Sequence, residues 1–256
     1  MENLAKTNDS ANAAATTAPA EFPETADIHS SSDEYAGRFA GKTGTWMLDV
    51  QERITLEFLK SAGVKTILDV GGGHGQLARP LCRDGYDVTV ISSSRACLHR
   101  IEDIVSSGKC KFDIGNVVAL PYPDRSFDAV ISFRLVMHCD HWPKLIAELC
   151  RVARKVVIID YPTSQSVNSI APALFGAKKK FEKNTRQWRL FRHEEITGEF
   201  AKNGYRIANR TGQFFFPMVL HRVLKMKPVS AALEAISRTL GLNKRWGSPV
   251  IVSLTR

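Results

Sequence analysis

Four glycines fall within five residues in Ile67-Leu-Asp-Val-Gly-Gly-Gly-His-Gly-Gln76. An apolar run leads straight into them, and a helical pattern follows. Glycines at such an exit permit a tight turn and let backbone approach a ligand, while the next helix offers free N–H groups. A dinucleotide site asks for G-x-G-x-x-G, and with Gly71 and Gly73 as its first pair the third position is Gln76. The other phase, Asp69-x-Gly71-x-Gly73-x-Gly75, fits at every position. Further along, Arg134 and His138 stand in Ser132-Phe-Arg-Leu-Val-Met-His138, and Asp160 and Tyr161 close another apolar run. There a His can act as a base or orient a substrate, an Arg can hold an anion, and a Tyr can line a pocket. The structural alternatives are a locally bonded His, an Arg in an ion pair and a Tyr packed in the core. His74 reads as shaping the glycine loop, His193 as a helix-start or surface residue, and His221 as facing a pocket or not. No His, Cys and Asp grouping has metal-ligand spacing, so no metal is expected.

The elements that must position these residues are legible in the periodicity. Strands are expected at Lys65–Val70, Asp87–Ser92, Lys109–Asp113, Phe127–Phe133 and Lys155–Asp160. Helices are expected near 75–84, 95–107 and 142–153, the last because Trp142, Leu145, Ile146, Leu149 and Cys150 recur at i, i+3, i+4, i+7, i+8. Met47, Val50, Ile54 and Phe58 mark an earlier helix that ends before Gly63. Such alternation argues for an α/β fold, a parallel sheet with helices on both faces. A helix near 193–203 and strands near 205–216 and 249–255 follow. Between those strands lies a helical insertion, 217–248, in which Val229, Leu233, Ile236 and Leu240 keep helical spacing. Residues 1–33, poor in apolar side chains, read as a disordered tail ahead of one domain, 34–256.

Charge is uneven: residues 1–34 carry seven acids and one Lys, whereas residues 151–256 carry twenty basic and six acidic side chains, net +14. Such a field suits an anionic small molecule, a nucleic acid or an anionic membrane surface. No run of eighteen apolar residues spans a bilayer, and no secretory signal is visible. Five cysteines without a C-x-x-C pair argue against a disulfide scaffold, so a cytoplasmic protein with reduced thiols is expected.

The glycine loop, Gly115-Asn-Val-Val-Ala-Leu-Pro-Tyr-Pro-Asp-Arg-Ser-Phe-Asp-Ala-Val130 and Ser132–His138 occur in an order and spacing that resemble the class I S-adenosylmethionine-dependent methyltransferases. The likeness is to the type 11 group, which includes quinone C-methyltransferases, and it covers roughly residues 46–160. It implies a Rossmann-like, mostly parallel seven-stranded sheet whose last strand is antiparallel. It implies also that the loop carrying Asp69, Gly71, Gly73 and Gly75 wraps the methionine and ribose part of S-adenosyl-L-methionine. Two positions depart from the family pattern. Ser92 stands where an acid usually accepts both ribose hydroxyls, and Asn116, followed by Val117, stands where an Asp usually meets the adenine. A hydroxyl supplies no charge-assisted bidentate contact, while the Asn amide oxygen still accepts a hydrogen bond.

Methyl transfer from a sulfonium is an in-line displacement in which positioning supplies much of the rate, so no triad is required. The candidates for chemistry are His138, Arg134 and Tyr161. Residues 161–192, with bases and aromatics interleaved from Lys178 to His193, read as a lid that with the insertion roofs the carboxyl edge of the sheet. The first functional expectation is methyl transfer to a small, anionic or lipid-like acceptor, with peripheral contact with an anionic membrane left open. The alternatives are an RNA methyltransferase using the basic C-terminal surface and a non-catalytic cofactor-binding module.

Overall fold

The computed structural model describes residues 22–167 and 189–256. Seven strands make one sheet: β1 (Thr66–Val70), β2 (Asp87–Ser92), β3 (Cys110–Ile114), β4 (Phe127–Ser132), β5 (Ala153–Tyr161), β6 (Arg206–Gly212) and β7 (Val250–Thr255). Their order is β3-β2-β1-β4-β5-β7-β6. β1 to β5 are parallel, and β7 runs antiparallel between β5 and β6. The strand order reverses between β1 and β4, and open α/β sheets bind ligands in the crevice at that point, beyond the strands' carboxyl ends.

Helices cover both faces. Side chains alternate along each strand, so Leu68 and Val70 of β1 enter one core with α6 (Trp142–Val152) and α7 (His193–Lys202), while Ile67 enters the other. That second core holds α3 (Gly41–Ala62) and α4 (Ala78–Arg83). The apolar stripe of α3, Met47, Val50, Ile54 and Phe58, is buried as its spacing predicts. The insertion folds as α8 (Met218–Leu224), α9 (Lys227–Thr239) and α10 (Leu242–Trp246). The five cysteines are free thiols.

Three expectations change. The segment 95–107 is a 3-10 turn at Arg95–Leu98 followed by α5 (Glu102–Ser106), because the Arg100 carbonyl accepts from Arg79 Nη2 and Cys97 packs under the glycine loop. β6 stops at Gly212, where the chain passes so close to Asn243 and Gly247 that a Cβ would collide with both. The expected disordered tail, 1–33, is the larger correction. Residues 1–21 lie outside the described residues, but the rest is ordered as α1 (Ala26–Ser30) and the start of α2 (Asp33–Gly37). Its order rests on buried polar groups that find partners rather than on apolar area. Asp27 is 0% exposed, and its carboxylate accepts from Ser93 N at 2.6 Å and Ser93 Oγ at 2.5 Å. Glu24 accepts from Asp140 N across the sheet edge. Of the expected lid, residues 168–188 lie outside the described residues; on either side of them Thr163 and Phe191 form a β-bridge.

Candidate active site

β1 delivers Asp69 to the carboxyl edge and the chain then turns through the glycines. Gly71 has φ +77°, a left-handed conformation, and its N–H donates to Ile91 O at 2.8 Å, tying the loop to β2. A Cβ on Gly73 would sit 2.6 Å from Cys97 and from Ser31 Oγ, so only glycine fits between the loop and the N-terminal segment. Among the described residues, that segment roofs the loop. Asp27, Ser30 and Ser31 lie over the glycines, followed by Tyr35 and Phe39 against the His74 ring.

β4 delivers the other wall. Arg134 adopts φ +57°, unusual for a side-chain-bearing residue, and its N–H donates to Asp160 Oδ1 at 2.6 Å. Its guanidinium is buried over the rings of Phe39, at 5.1 Å, and Tyr35, at 5.6 Å. Asp160 also accepts from Gln51 Nε2 of α3, and Gln51 Oε1 accepts from Gln76, which closes a polar floor under the loop. A narrow crevice lies between Asp69, Gly71, His74 and Gln76 on one side and Ser30, Phe133 and Arg134 on the other.

Burial sets the charges here. It pushes the Asp69 carboxyl up to about 7, with Arg134 opposing, and Asp160 up to about 6 against the same guanidinium. Burial, helped by Arg134 and Arg100, holds His74 down at about 2, so this ring is neutral. Among the described residues, several buried polar atoms around the loop have no hydrogen-bond partner: both His74 ring nitrogens, and Nε and Nη1 of Arg134. Native interiors satisfy such groups, so a cluster of them calls for a polar ligand. Lying beside Asp69 and the glycine turn at the switch point of the sheet, they fit a cofactor with hydroxyl, ammonium and carboxylate groups.

The sequence-derived candidates separate in space. Asp69, Gly71, His74 and Arg134 meet at the pocket, with Gly73 and Gly75 buttressed from behind by Cys97 and Ile101. Ser92 is fully buried with the Cys97 thiol against it. Asn116 is half-buried and its Oδ1 accepts from Val118 N, shaping its own turn, while Val117 is in the core. His138 closes a 3-10 turn after β4, its ring 6.5 Å from that of His29 in the N-terminal segment. Tyr161 does not reach the pocket: strand alternation sends it to the opposite face from Asp160, where it is buried with its hydroxyl 2.9 Å from His193 Nδ1. His193 therefore has a structural partner rather than a surface role. His221 is fully buried and bonds Glu234 Oε1 at 3.0 Å. Sequence reasoning missed Asp27, Tyr35, Gln51 and Gln76. Two signals were available: Ser32, whose Oγ caps α2 by accepting from Tyr35 N, and Gln51, a polar side chain beside the apolar stripe of α3.

Comparison with known proteins agrees with this geometry. Residues 68–159 match the methyltransferase domain family. The ubiquinone biosynthesis O-methyltransferase of Sinorhizobium medicae is 28% identical over 179 residues, which are 66% of this chain and 69% of that protein. The 2-methyl-6-phytyl-1,4-hydroquinone methyltransferase of Synechocystis is 32% identical over 143 residues, 54% of this chain, and the match spans only 44% of that longer relative. In fold, the chain resembles magnesium protoporphyrin IX methyltransferase of Synechocystis PCC 6803, solved with bound SAH, at a TM-score of 0.62 and 14% identity over 88% of this chain and 93% of that one. The likeness in sequence takes in the loop and the β4 exit, the likeness in fold covers most of the chain, and residues 68–159 carry a methyltransferase domain similar to that of S-adenosylmethionine-dependent methyltransferases.

Proposed function

We propose that this methyltransferase acts on a small acceptor that presents an anionic oxygen to Arg134. The observation that carries the reading is the buried guanidinium with Nε and Nη1 unsatisfied, aimed into the pocket beside Asp69. The acids that face it, Asp69 and Asp160, are pushed by burial toward their neutral forms, so a further anion is favoured beside this buried cation. A hydroquinone, the substrate class in the Synechocystis relative's name, ionises to such an oxygen. S-adenosylmethionine, when bound, supplies an electrophilic methyl group on a sulfonium. Two cations in one pocket repel, so acceptor anion and cofactor favour each other's binding. His138, at the β4 exit, takes the proton where the acceptor arrives protonated.

For the cofactor, Asp69 carries the charge that faces a cation, and Gly71, Gly73 and Gly75 let backbone approach. Ser92, Asn116 and Val117 line the adenosyl side. Ser92 cannot replace the strand-end carboxylate, and Asp27 sits one residue away from it, bonded to Ser93. We assign Asp27 that role: a carboxylate delivered by the N-terminal helix rather than by β2. Ser93 engages two of its lone pairs and the Cys97 thiol a third, which leaves one acceptor site of a carboxylate's four.

Titration calorimetry tests both statements. The protein is expected to bind S-adenosylhomocysteine and to ignore NADH. Asp27→Ala is expected to weaken that binding roughly tenfold, in line with loss of a charge-assisted hydrogen bond, and Ser92→Asp in that background to restore part of it. Tight NADH binding without a response to S-adenosylhomocysteine overturns the cofactor assignment. Tighter binding by Asp27→Ala overturns the role of Asp27 and makes the N-terminal helix a plug.

A further inference from the structure

Helix α9 is polar on the side it buries and apolar on a side it leaves to water. Ser230, Glu234 and Ser237 are its buried residues. Val229 and Ile236, seven residues apart, and Leu240 just past its end fall on one stripe at helical spacing, exposed to 38%, 59% and 68%. A helix that only completes a core does the reverse. The inward face is held by bonds instead of apolar area. Glu234 accepts from Phe215 N, Phe216 N, His221 Nε2 and Asn243 Nδ2, which fixes the rotation of the helix and keeps the apolar stripe outside.

The neighbours repeat the pattern. Val223 and Met226, at the end of α8 and the turn after it, and Trp246 at the end of α10 are exposed too. Six of the nine exposed large apolar side chains among the described residues lie within 223–246. Around them stand Lys225, Lys227, Arg238, Lys244 and Arg245, all exposed, and the one acid of the three helices, Glu234, is buried.

We propose that α8–α10 form a docking surface for an anionic lipid bilayer. An interfacial element combines apolar side chains that enter the headgroup boundary with cations that meet acidic lipids, and this one has both. A second copy on the same face sets five cations against five. A nucleic acid satisfies the cations but leaves Val223, Ile236 and Leu240 in water. The surface lies on the membrane: no helix among the described residues is long and apolar enough to cross one. Docking does not depend on the methyl-transfer reading. It adds that an acceptor dissolved in lipid is reached from the bilayer side, because α8 packs on α3, His221 meeting Trp46 edge-on at 5.5 Å, and α3 supplies Gln51 to the pocket floor.

Co-sedimentation of the full chain with phosphatidylcholine vesicles, with and without about one third phosphatidylglycerol, is the test. Binding is expected with the anionic vesicles only, weakened by salt as surface charge is screened. Ile236→Glu/Leu240→Glu is expected to lose it at least tenfold, and Lys244→Glu/Arg245→Glu roughly fivefold or more per cation removed. Both pairs are exposed, and an unchanged thermal transition and S-adenosylhomocysteine titration certify the fold. If the first pair misfolds, Ile236→Ser/Leu240→Ser and the charge pair carry the test. Equal pelleting of wild type and either variant, equal pelleting with neutral vesicles, or no pelleting overturns the proposal. So does a wild-type dimer in sedimentation velocity that Ile236→Glu/Leu240→Glu dissociates, or salt-sensitive RNA binding that the apolar pair leaves intact.

Discussion

Asp69 shows most directly how a single buried residue links binding to stability. Its carboxyl, pushed up to about 7 by burial, holds a proton that the unfolded chain would release near pH 4. The folded state therefore binds more protons between those values, and folding stability falls as pH rises from about 4 to about 7. Asp69→Asn should remove its share of that slope, leaving the part that Asp160, raised to about 6, contributes, and raise stability at pH 8 by a few kcal/mol, read by urea unfolding at several pH values. A cationic ligand group favours the ionised form, so S-adenosylhomocysteine, with its α-ammonium, should bind more tightly as pH rises through about 7. The Asn variant should bind it more weakly and with a flat profile; a wild-type affinity that falls with pH contradicts this role for Asp69.

At the scale of elements, two segments are held by hydrogen bonds where apolar area is scarce. The N-terminal helix α1 is pinned through Asp27 to Ser93 and through Glu24 to Asp140, and it covers Gly71 and Gly73. A chain beginning at Ser32 should keep its sheet, because both cores are built from residues after position 34 apart from Ala26. It should lose S-adenosylhomocysteine affinity by tenfold or more, since the loop then opens to water. Retained affinity in calorimetry would show that the roof is dispensable. The insertion hangs on Glu234. Burial raises its carboxyl and the bonds from His221, Phe215, Asn243 and Phe216 outweigh that, leaving it below the ordinary value. Its contribution is present above about pH 5 and fades as pH falls through the lowered value. Glu234→Ala leaves four donors unpaired and should cost about 3 kcal/mol or more. Hydrogen exchange across 214–246 should rise sharply while β1–β5 stay protected.

For the molecule as a whole, the switch point between β1 and β4 collects Asp69 and Arg134, and the charge distribution decides what arrives there. The C-terminal stretch from residue 151 carries net +14. A field of that sign speeds the approach of anions and is screened as the Debye length shrinks from about 30 Å at 0.01 M salt to about 8 Å at 0.15 M. For an anionic acceptor kcat/KM should fall severalfold over that range, while a neutral analogue should change little. Identical salt profiles for the two would place recognition in contacts rather than in the field.

The periodicity of apolar residues determined the sheet, because seven strands and the helices between them each bury a face whose spacing is local. β2 begins and ends at Asp87 and Ser92, where Gly85 and the Ser93-Ser94 turn bracket an apolar run. The phase Asp69-x-Gly71-x-Gly73-x-Gly75 determined the loop, since tight backbone approach demands glycine at fixed steps. Tertiary structure decided the rest. Asp27 reads as a solvated acid in a polar tail until Ser93, 66 residues away, supplies its donors. Asp160 and Tyr161 are neighbours in sequence, yet the pleat sends one to the pocket floor and the other into the opposite core. Val229 and Ile236 have the spacing of a core face, and only the four bonds on Glu234 turn that face to solvent. Local pattern says which side chains share a face; what that face meets is set by contacts between residues far apart in the chain.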